Sequence, residues 1–435
     1  MKTLALRPRV LSISTAAALL AGCGGSQPSI GAPGAMPQVP GIAPHSAIAH
    51  HKGTTSSSYQ VVYRFAGGAD GQNPQASLID VNGTLYGTTA AGGAYCENTD
   101  SNGHGCGTVF SVTTTGAEDV LHSFGNGADG IAPTSSLIDV NGTLFGTTAF
   151  GGGDCAANGA TGCGTIFSIA PTGTEQVLHS FGTGSDGAVP YAALIDADGI
   201  LYGTTAYGGD VTSRIGLGTV FKTSTNGKEQ VLHNFGISDG WHPEAALIDV
   251  NRVLYGTTNQ GGTYGVGTVF NISAKGAEQV LHSFRGRSPH GGRPSGALID
   301  VAGELYGTTE FGGTFNDGVV FKIRADGKTK RLHSFGGGSD GVNPTAGLID
   351  VNGTLYGTTY LGGAHGDGTV FSITPEGTEQ VLYSFAGYPS DGEYPWGGLV
   401  NVSGTLYGTT SSGGTFSTYD SYGTVFALKP YTAER

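Results

Sequence analysis

Charged side chains are scarce in this chain. Asp, Glu, Lys and Arg make up 12% of its 435 residues, and the formal charge at pH 7 is -13. Only 20 residues are Lys or Arg, whereas binding to phosphate groups needs such cations in clusters. We therefore expect no nucleic-acid partner and no attachment to anionic lipid through a basic surface.

Helical periodicity and catalytic motifs are also missing. No segment repeats its apolar residues with a helical period, and we find no phosphate loop, nucleophile elbow or metal-ligand cluster. Glycine, in contrast, is abundant at 79 residues. It recurs at fixed places beside short runs of Val, Thr, Tyr and Phe, which indicates turns between β-strands.

The motif Leu-Tyr-Gly-Thr-Thr, first seen at 85–89, recurs along the chain. Its aromatic position is separated by 59, 57, 53, 51, 50 and 51 residues from one copy to the next. Units of about 50 residues that lack a core of their own stack into a shared one, as in solenoids and propellers. The aromatic residues are Tyr86, Phe145, Tyr202, Tyr255, Tyr306, Tyr356 and Tyr407.

Each repeat contains four predicted strands. In the first repeat, strand a covers 76–80, strand b 84–89, strand c 107–112 and strand d 119–124, and an Asn-Gly turn joins a to b. The array starts with a d-like strand at 60–65 and ends with a c-like strand at 423–426. We therefore predict an all-β, seven-bladed β-propeller of four-stranded antiparallel blades, in which the first d strand completes the last blade.

The repeat resembles the GloVer tandem repeat family of bacterial surface proteins. The resemblance is carried by Leu-Ile-Asp, Asn-Gly-Thr-Leu-Tyr-Gly-Thr-Thr, Gly-Gly, Gly-Thr-Val-Phe and Leu-His-Ser-Phe, from about Tyr59 to Phe426. It implies a protein held at the cell surface by an anchor. The resemblance provides no catalytic residues that could be assigned to positions of this chain.

The first 58 residues have the features of an export and tethering segment. Lys2, Arg7 and Arg9 precede an apolar stretch too short to span a bilayer, as in a signal peptide. The stretch ends in Leu20-Ala21-Gly22-Cys23, which resembles a lipobox and implies lipid on Cys23. We predict a signal peptide at 1–22, a Gly-, Pro- and Ser-rich tether at 23–58 and the propeller at 59–435, exported to the outer membrane or cell surface.

Four further cysteines fit an oxidising compartment. Cys96 and Cys106 bracket one b–c loop, and Cys155 and Cys163 bracket the equivalent loop of the next repeat. Local disulfides are the simplest pairing of the three that four cysteines allow, and a four-cysteine zinc site is the alternative. We expect no cofactor, except that calcium is an alternative at one loop, where oxygen ligands alternate before a glycine: Asn98, Asp100 and Asn102.

Two repeated polar positions have structural explanations. Six d–a loops carry Asp-Gly, in which the carboxylate either closes the turn or joins a ring of cation ligands at the channel mouth. Five repeats place His in strand d, where structural hydrogen bonding is the expected role. These histidines are His122, His179, His233, His282 and His333.

The variable positions are better candidates for a binding site. In this strand order the d–a and b–c loops share one face, where loops on a rigid scaffold carry function. Aromatic and polar side chains there suit sugar rings or extended peptides. The candidates are Tyr191, Trp241, Glu244, Tyr394 and Trp396.

Three functions are compatible with this pattern. The first is a lipid-anchored module that binds a glycan or protein at the envelope. The second is a carbohydrate hydrolase or lyase that uses Glu244 and Glu310 as acid and base. The third is a structural or adhesive surface protein, in which the aromatic side chains only fill the rim of the channel.

Overall fold

The chain folds into seven four-stranded antiparallel sheets arranged as a β-propeller. The predicted fold class is confirmed. In each sheet the strands follow the order a, b, c, d, and the a strands of neighbouring blades contact one another around the centre. The computed structural model describes residues 57–95, 106–153, 162–170, 172–182, 185–209, 216–286, 290–336, 338–414 and 421–430.

The strand bounds repeat closely from blade 1 to blade 7. Strands a are Ile79–Val81, Ile138–Val140, Ile195–Ala197, Ile248–Val250, Ile299–Val301, Ile349–Val351 and Val400–Val402. Strands b are Thr84–Thr89, Thr143–Thr148, Ile200–Thr205, Val253–Thr258, Glu304–Thr309, Thr354–Thr359 and Thr405–Thr410. Strands c are Thr108–Thr113, Thr165–Ile169, Thr219–Ser224, Thr268–Ser273, Val319–Ile323, Thr369–Ile373 and Thr424–Lys429. Strands d of blades 1 to 6 are Glu118–Ser123, Glu175–Ser180, Glu229–Asn234, Glu278–Ser283, Thr329–Ser334 and Glu379–Ser384.

Blade 7 takes its outer strand from the start of the described chain. Ser58–Arg64 pairs antiparallel with Thr424–Lys429, so that Tyr59 lies opposite Leu428 and Val61 opposite Phe426. The N-terminal strand thus occupies the strand-d position of a blade whose other strands come from the C-terminal end.

The glycine of the Leu-Tyr-Gly-Thr-Thr motif is required by packing. A Cβ at Gly87 would lie 2.6 Å from Cζ of Phe110 and 2.7 Å from Cδ2 of Leu78. Equivalent Phe and Leu contacts surround the same glycine in the other blades. The motif therefore recurs because each blade packs a phenylalanine ring onto strand b at this point.

The two threonines of the motif join strands and blades. The hydroxyl of Thr88 donates to the carbonyl of Ser135 in the next blade at 3.1 Å. Thr89 Oγ1 lies 2.8 Å from Thr108 Oγ1 on strand c. These hydroxyl groups are buried and hydrogen-bonded, which confirms that the pair belongs to the scaffold.

The hydrophobic core lies between the blades. Each core cluster combines residues of two adjacent blades, and a phenylalanine at the end of one strand d packs edge-to-face on a strand-c phenylalanine of the next blade. Ring-centroid distances are 4.9–5.2 Å. The seven pairs are Phe65–Phe110, Phe124–Phe167, Phe181–Phe221, Phe235–Phe270, Phe284–Phe321, Phe335–Phe371 and Phe385–Phe426.

Strand a is shorter than predicted. In blade 1 it begins at Ile79 and not at Ala76, because the preceding residues of neighbouring blades converge around the channel. A Cβ at Gly296 would lie 2.5 Å from the backbone of Ala346, and one at Gly397 would lie 2.7 Å from that of Ala76. Only small residues fit at this approach, and the segment pairs with no neighbouring strand there.

The d–a and b–c loops lie together on one face, which we call the mouth face. They form backbone bridges within each blade, such as Gln72 with Ala91 and Trp241 with Gln260. In four blades the bridge is a pair of two-residue strands: Gly187–Ala188 with Tyr207–Gly208, Gly291–Gly292 with Phe311–Gly312, Gly341–Val342 with Leu361–Gly362, and Gly392–Glu393 with Ser412–Gly413. The predicted arrangement of these loops is confirmed.

Helix is almost absent from the described part of the chain. The three-residue 3-10 helix Gly68–Asp70 is the one helical element there. It is too short to cross a membrane, and no other described residues offer a helical span.

Candidate functional site

A cavity of about 320 Å³ opens at the centre of the mouth face. All seven blades contribute the residue that follows the proline of the d–a loop, and Glu310 of blade 5 completes the wall. The sequence-predicted Tyr191, Glu244 and Trp396 are therefore brought together. The lining residues are Gln75, Thr134, Tyr191, Glu244, Ser295, Glu310, Thr345 and Trp396.

The backbone before each of these prolines adopts a left-handed conformation. Val189 has φ 58° and His242 has φ 55°, a region that β-branched and bulky side chains rarely adopt. The His242 amide donates to the carbonyl of Leu217 at 3.1 Å, and its own carbonyl accepts from Asn259 at 2.9 Å. This double anchoring directs the residue after the proline into the cavity. The seven positions are Asn73, Ala132, Val189, His242, Arg293, Asn343 and Tyr394.

Two carboxylates face the same cavity. Burial, with a smaller contribution from nearby Glu310, raises the pKa of Glu244 to about 7. Burial also raises the pKa of Glu310, but a hydrogen bond from Ser295 and the charge of Arg293 oppose that rise. The exposed Arg293 guanidinium lies over the Phe311 ring, 5.4 Å from its centroid. The site thus holds two carboxylates in different environments.

An aromatic cluster supports Glu244 from behind. His242 lies 4.4 Å from the Tyr207 ring and 4.7 Å from the Trp241 ring, between centroids. Its Nδ1 is 3.8 Å from Glu244 Oε1, and its buried Nε2 has no hydrogen-bond partner. Burial lowers the pKa of His242, which favours the neutral imidazole beside the carboxylate. Trp241 belongs to this supporting cluster and is not among the residues that line the cavity.

A second aromatic group forms the opposite part of the mouth. Tyr360 packs at 5.2 Å from Tyr394 and at 5.0 Å from Trp396, between ring centroids. The Trp396 side chain remains 42% exposed although it lines the cavity. Tyr394 therefore packs on Tyr360, which in turn contacts Trp396, and is not among the residues that line the cavity.

Sequence reasoning missed Tyr360. It occupies the position directly after Gly-Thr-Thr, which holds Ala90, Ala149, Ala206, Asn259, Glu310, Tyr360 and Ser411 in successive blades. The sequence did contain a signal for this residue, because its position varies between repeats while the residues before it are repeated. That position ends strand b at the mouth face, next to the residues that follow the prolines.

The repeated His and Asp residues lie away from the cavity, on the outer strands. His233 Nε2 donates to Asp239 Oδ2 at 2.8 Å, and the other carboxylate oxygen accepts the Gly236 amide at 2.8 Å. His122, His179 and His333 pair in the same way with Asp129, Asp186 and Asp340. Each of these carboxylates also accepts a backbone amide of its own loop. The Asp carboxylates therefore accept backbone amides of their turns, and four of the five histidines form the predicted hydrogen bonds.

Several predicted features lie outside the described residues. They include the signal peptide, Cys23 and the tether, the calcium alternative at Asn98, Asp100 and Asn102, and the cysteines Cys96 and Cys155. Cys106 and Cys163 are buried at the ends of their loops. The two disulfides remain predictions.

The fold and the cavity define a seven-bladed β-propeller whose mouth is lined by a position that holds several different residue types in the seven blades. The chain belongs to the Gloeobacter/Verrucomicrobia repeat family, whose model matches residues 51–270 and 253–435. This confirms the family resemblance in the repeat. No curated protein matches the chain.

Solved structures with similarity to the chain are themselves distant. A candidate 6-phosphogluconolactonase from Bacteroides uniformis is 14% identical with a TM-score of 0.47, over 72% of this chain and 84% of that one. A gluconolactonase from Xanthomonas campestris is 14% identical with a TM-score of 0.38, over 66% and 82% of the two chains. Because both TM-scores are below 0.5, these similarities carry no conclusion about activity.

Proposed function

We propose that this protein is an exported, lipid-anchored β-propeller that binds a carbohydrate of the cell envelope in its mouth cavity. The main support is the pairing of an exposed, ring-supported Trp396 with carboxylates across one concave site. Aromatic faces pack on the apolar faces of sugar rings, while carboxylates accept hydrogen bonds from sugar hydroxyl groups. A cavity of about 320 Å³ lies at the lower end of the range for small-ligand sites.

The size of the cavity favours one or two sugar units over a folded protein as the group that enters it. Trp396 and Tyr191 would contact ring faces, and Glu244, Glu310 and Ser295 would fix orientation. Trp241 and Tyr394 would act by holding these groups in place.

Glycan-array screening followed by calorimetry tests the proposal. Trp396→Ala should weaken binding by about 2 kcal/mol, roughly thirtyfold in Kd, because a central aromatic anchor is removed. Trp241→Ala is the matched control, since it removes the same side chain from behind the cavity and should weaken binding much less. Equal affinity of Trp396→Ala and the unaltered protein would contradict the site.

The anchor is tested separately. Cys23→Ala should move the protein from the membrane fraction to the soluble fraction, because multiple acyl chains give stable attachment without a spanning helix. Mass spectrometry of the N-terminal peptide should detect the lipid on Cys23. A protein that remains in the membrane fraction after this substitution would contradict lipid anchoring.

A second candidate function is cleavage of the bound carbohydrate. It is favoured by a difference between the two carboxyl groups. Burial and Glu310 raise the pKa of Glu244 to about 7, whereas at Glu310 a hydrogen bond from Ser295 opposes the rise caused by burial; Arg293 opposes the rise at both. Environments that push two carboxyl pKa values apart are typical of an acid and a base. Turnover of a bound glycan that is lost in both Glu244→Gln and Glu310→Gln would establish it, and binding without turnover would exclude it.

A further inference from the structure

Three junctions between the outer strands of adjacent blades bring together an imidazole and two carboxylates. Each junction contains the His of one strand d, the Asp of the following d–a loop and the first Glu of the next strand d. One candidate ligand atom from each residue lies within 4.8 Å of the other two. The junctions are His179 with Asp186 and Glu229, His233 with Asp239 and Glu278, and His333 with Asp340 and Glu379.

These distances are close to those of a metal site. A zinc ion binds imidazole nitrogen at about 2.0–2.1 Å and carboxylate oxygen at about 2.0–2.2 Å, which puts ligand atoms of a tetrahedral site roughly 3.4 Å apart. His Nε2 and Asp Oδ2 are already 3.0, 2.8 and 3.0 Å apart in the three junctions. A set of three ligands would be complete if the His and Asp atoms moved slightly apart and the glutamate oxygen moved slightly towards them.

Each of the three glutamates also has an oxygen without a partner, a feature shared by Glu118 and Glu175 at two other junctions, where the ligand atoms do not come together as tightly. The Oε1 atoms of Glu229, Glu278 and Glu379 are buried and accept no hydrogen bond. Buried acceptors are normally satisfied, and leaving one unpaired is costly. A cation shared with the neighbouring His and Asp would satisfy this oxygen and offset the repulsion between the two carboxylates.

Two of the other junctions show which residues are present where this ligand set is incomplete. Where His290 replaces the Asp opposite His282, Thr329 replaces the Glu. Where Tyr63 replaces the His, its hydroxyl donates to Asp70 at 2.6 Å and lies 3.3 Å from Glu118 Oε2. Both carboxylates are thus kept only with a full imidazole set or with a phenol that hydrogen-bonds to them.

One further junction has the same three residue types in a looser arrangement. His122 Nε2 and Asp129 Oδ2 are 3.2 Å apart, and Glu175 lies across from them in the next blade. It is not one of the three tight groups.

We propose that the three tight junctions are binding sites for a divalent cation of the zinc class, each held by His Nε2, Asp Oδ2 and Glu Oε1. One nitrogen and two oxygen ligands suit zinc better than magnesium or calcium, which prefer six or more oxygen ligands. The histidine side chains are 19–22% exposed, so a cation has access from solvent and water has room as a fourth ligand. At each of these three junctions the metal would tie one blade to the next.

The test is zinc titration of the full chain after treatment with a chelator. Calorimetry and elemental analysis after dialysis should give three more zinc ions per chain for the unaltered protein than for the triple variant Glu229→Gln, Glu278→Gln, Glu379→Gln. Comparing the two removes any contribution of other ligands in the chain. The thermal midpoint should rise with zinc in the unaltered protein and rise less in the triple variant.

Glu118→Gln, at the tyrosine junction, is the matched control and should keep all the zinc. Glu229→Gln alone should lose one ion, which keeps the test valid if the triple variant fails to fold. Equal zinc content in the unaltered protein, the single variant and the control would overturn the proposal. This outcome is independent of whether the mouth cavity binds a carbohydrate.

Discussion

Tyr59 provides a direct test of how the ring closes. It lies in the N-terminal strand, and its ring stacks on Tyr383 with centroids 3.7 Å apart and contacts Phe426 at 6.0 Å. Its hydroxyl donates to Asp391 Oδ1. Removing the side chain by Tyr59→Ala therefore deletes an aromatic contact that joins blade 6 to blade 7.

The size of the effect follows from these contacts. Truncating a fully buried aromatic residue to Ala costs about 3–5 kcal/mol. Tyr59 is partly buried, so we expect Tyr59→Ala to lower the free energy of unfolding by about 2–3 kcal/mol. Tyr59→Phe keeps the ring and should cost about 1–2 kcal/mol, because Asp391 still accepts from Tyr383 at 2.7 Å and from Ala386 at 2.8 Å.

Urea denaturation measures both variants, with the midpoint compared at a constant m-value. Gln60→Ala is the control in the same strand, because its side chain is exposed and its loss should change stability by less than about 0.5 kcal/mol. If Tyr59→Ala matches Gln60→Ala, the Tyr59 side chain does not stabilise the contact between blades 6 and 7, and the reasoning fails.

Three further predictions concern backbone strain, pH and packing. Val189→Asn should raise the free energy of unfolding by about 1 kcal/mol in urea denaturation, because Val189 has φ 58° and Asn tolerates that conformation better; a destabilised variant would contradict this. Burial and the charge of Asp70 raise the pKa of Glu118 to about 7, so the stabilisation from its protonated form is full below about pH 4.5 and is lost as pH rises through 7. The thermal midpoint of Glu118→Gln, relative to that of the unaltered protein, should therefore rise between pH 5 and pH 8. A difference between the two midpoints that does not change with pH would refute this prediction. Gly87→Ala should destabilise by about 1–3 kcal/mol, because its Cβ would lie 2.6 Å from Phe110 Cζ; urea denaturation with an unchanged midpoint would exclude that clash.

Most of the architecture could be predicted because the repeat is copied so closely. The seven copies of the Leu-Tyr-Gly-Thr-Thr motif predicted the number of blades, and the strand order then predicted which loops share the mouth face. The start of strand a could not be predicted, because it depends on how closely Gly296 and Ala346 approach across the channel. That distance is set by closure of the ring and cannot be inferred from a single repeat.

The candidate site was partly predictable for the same reason. Variation after each proline led to Tyr191, Glu244 and Trp396, which all line the cavity. Trp241 was chosen for its residue type, but its side chain packs against His242. The left-handed backbone before each proline was missed, because Val, Tyr and Arg are unusual residues for such a conformation.

The clusters between blades were hidden by distance in sequence. His233 and Glu278 are 45 residues apart, and each belongs to a different repeat. Within a single repeat, the sequence gives no sign that the histidine, the aspartate and the glutamate belong to clusters shared with neighbouring repeats. Only the contact between adjacent outer strands brings them within 4.8 Å.

The direction of the outer strands also determines how the propeller can be approached. Every strand d runs towards the mouth face, and Ser58–Arg64 holds a strand-d position. Ser58 therefore lies on the reverse face, as does Lys429 at the end of the last strand c. A support joined to either end of the described propeller would lie behind it and leave the cavity open to the surroundings.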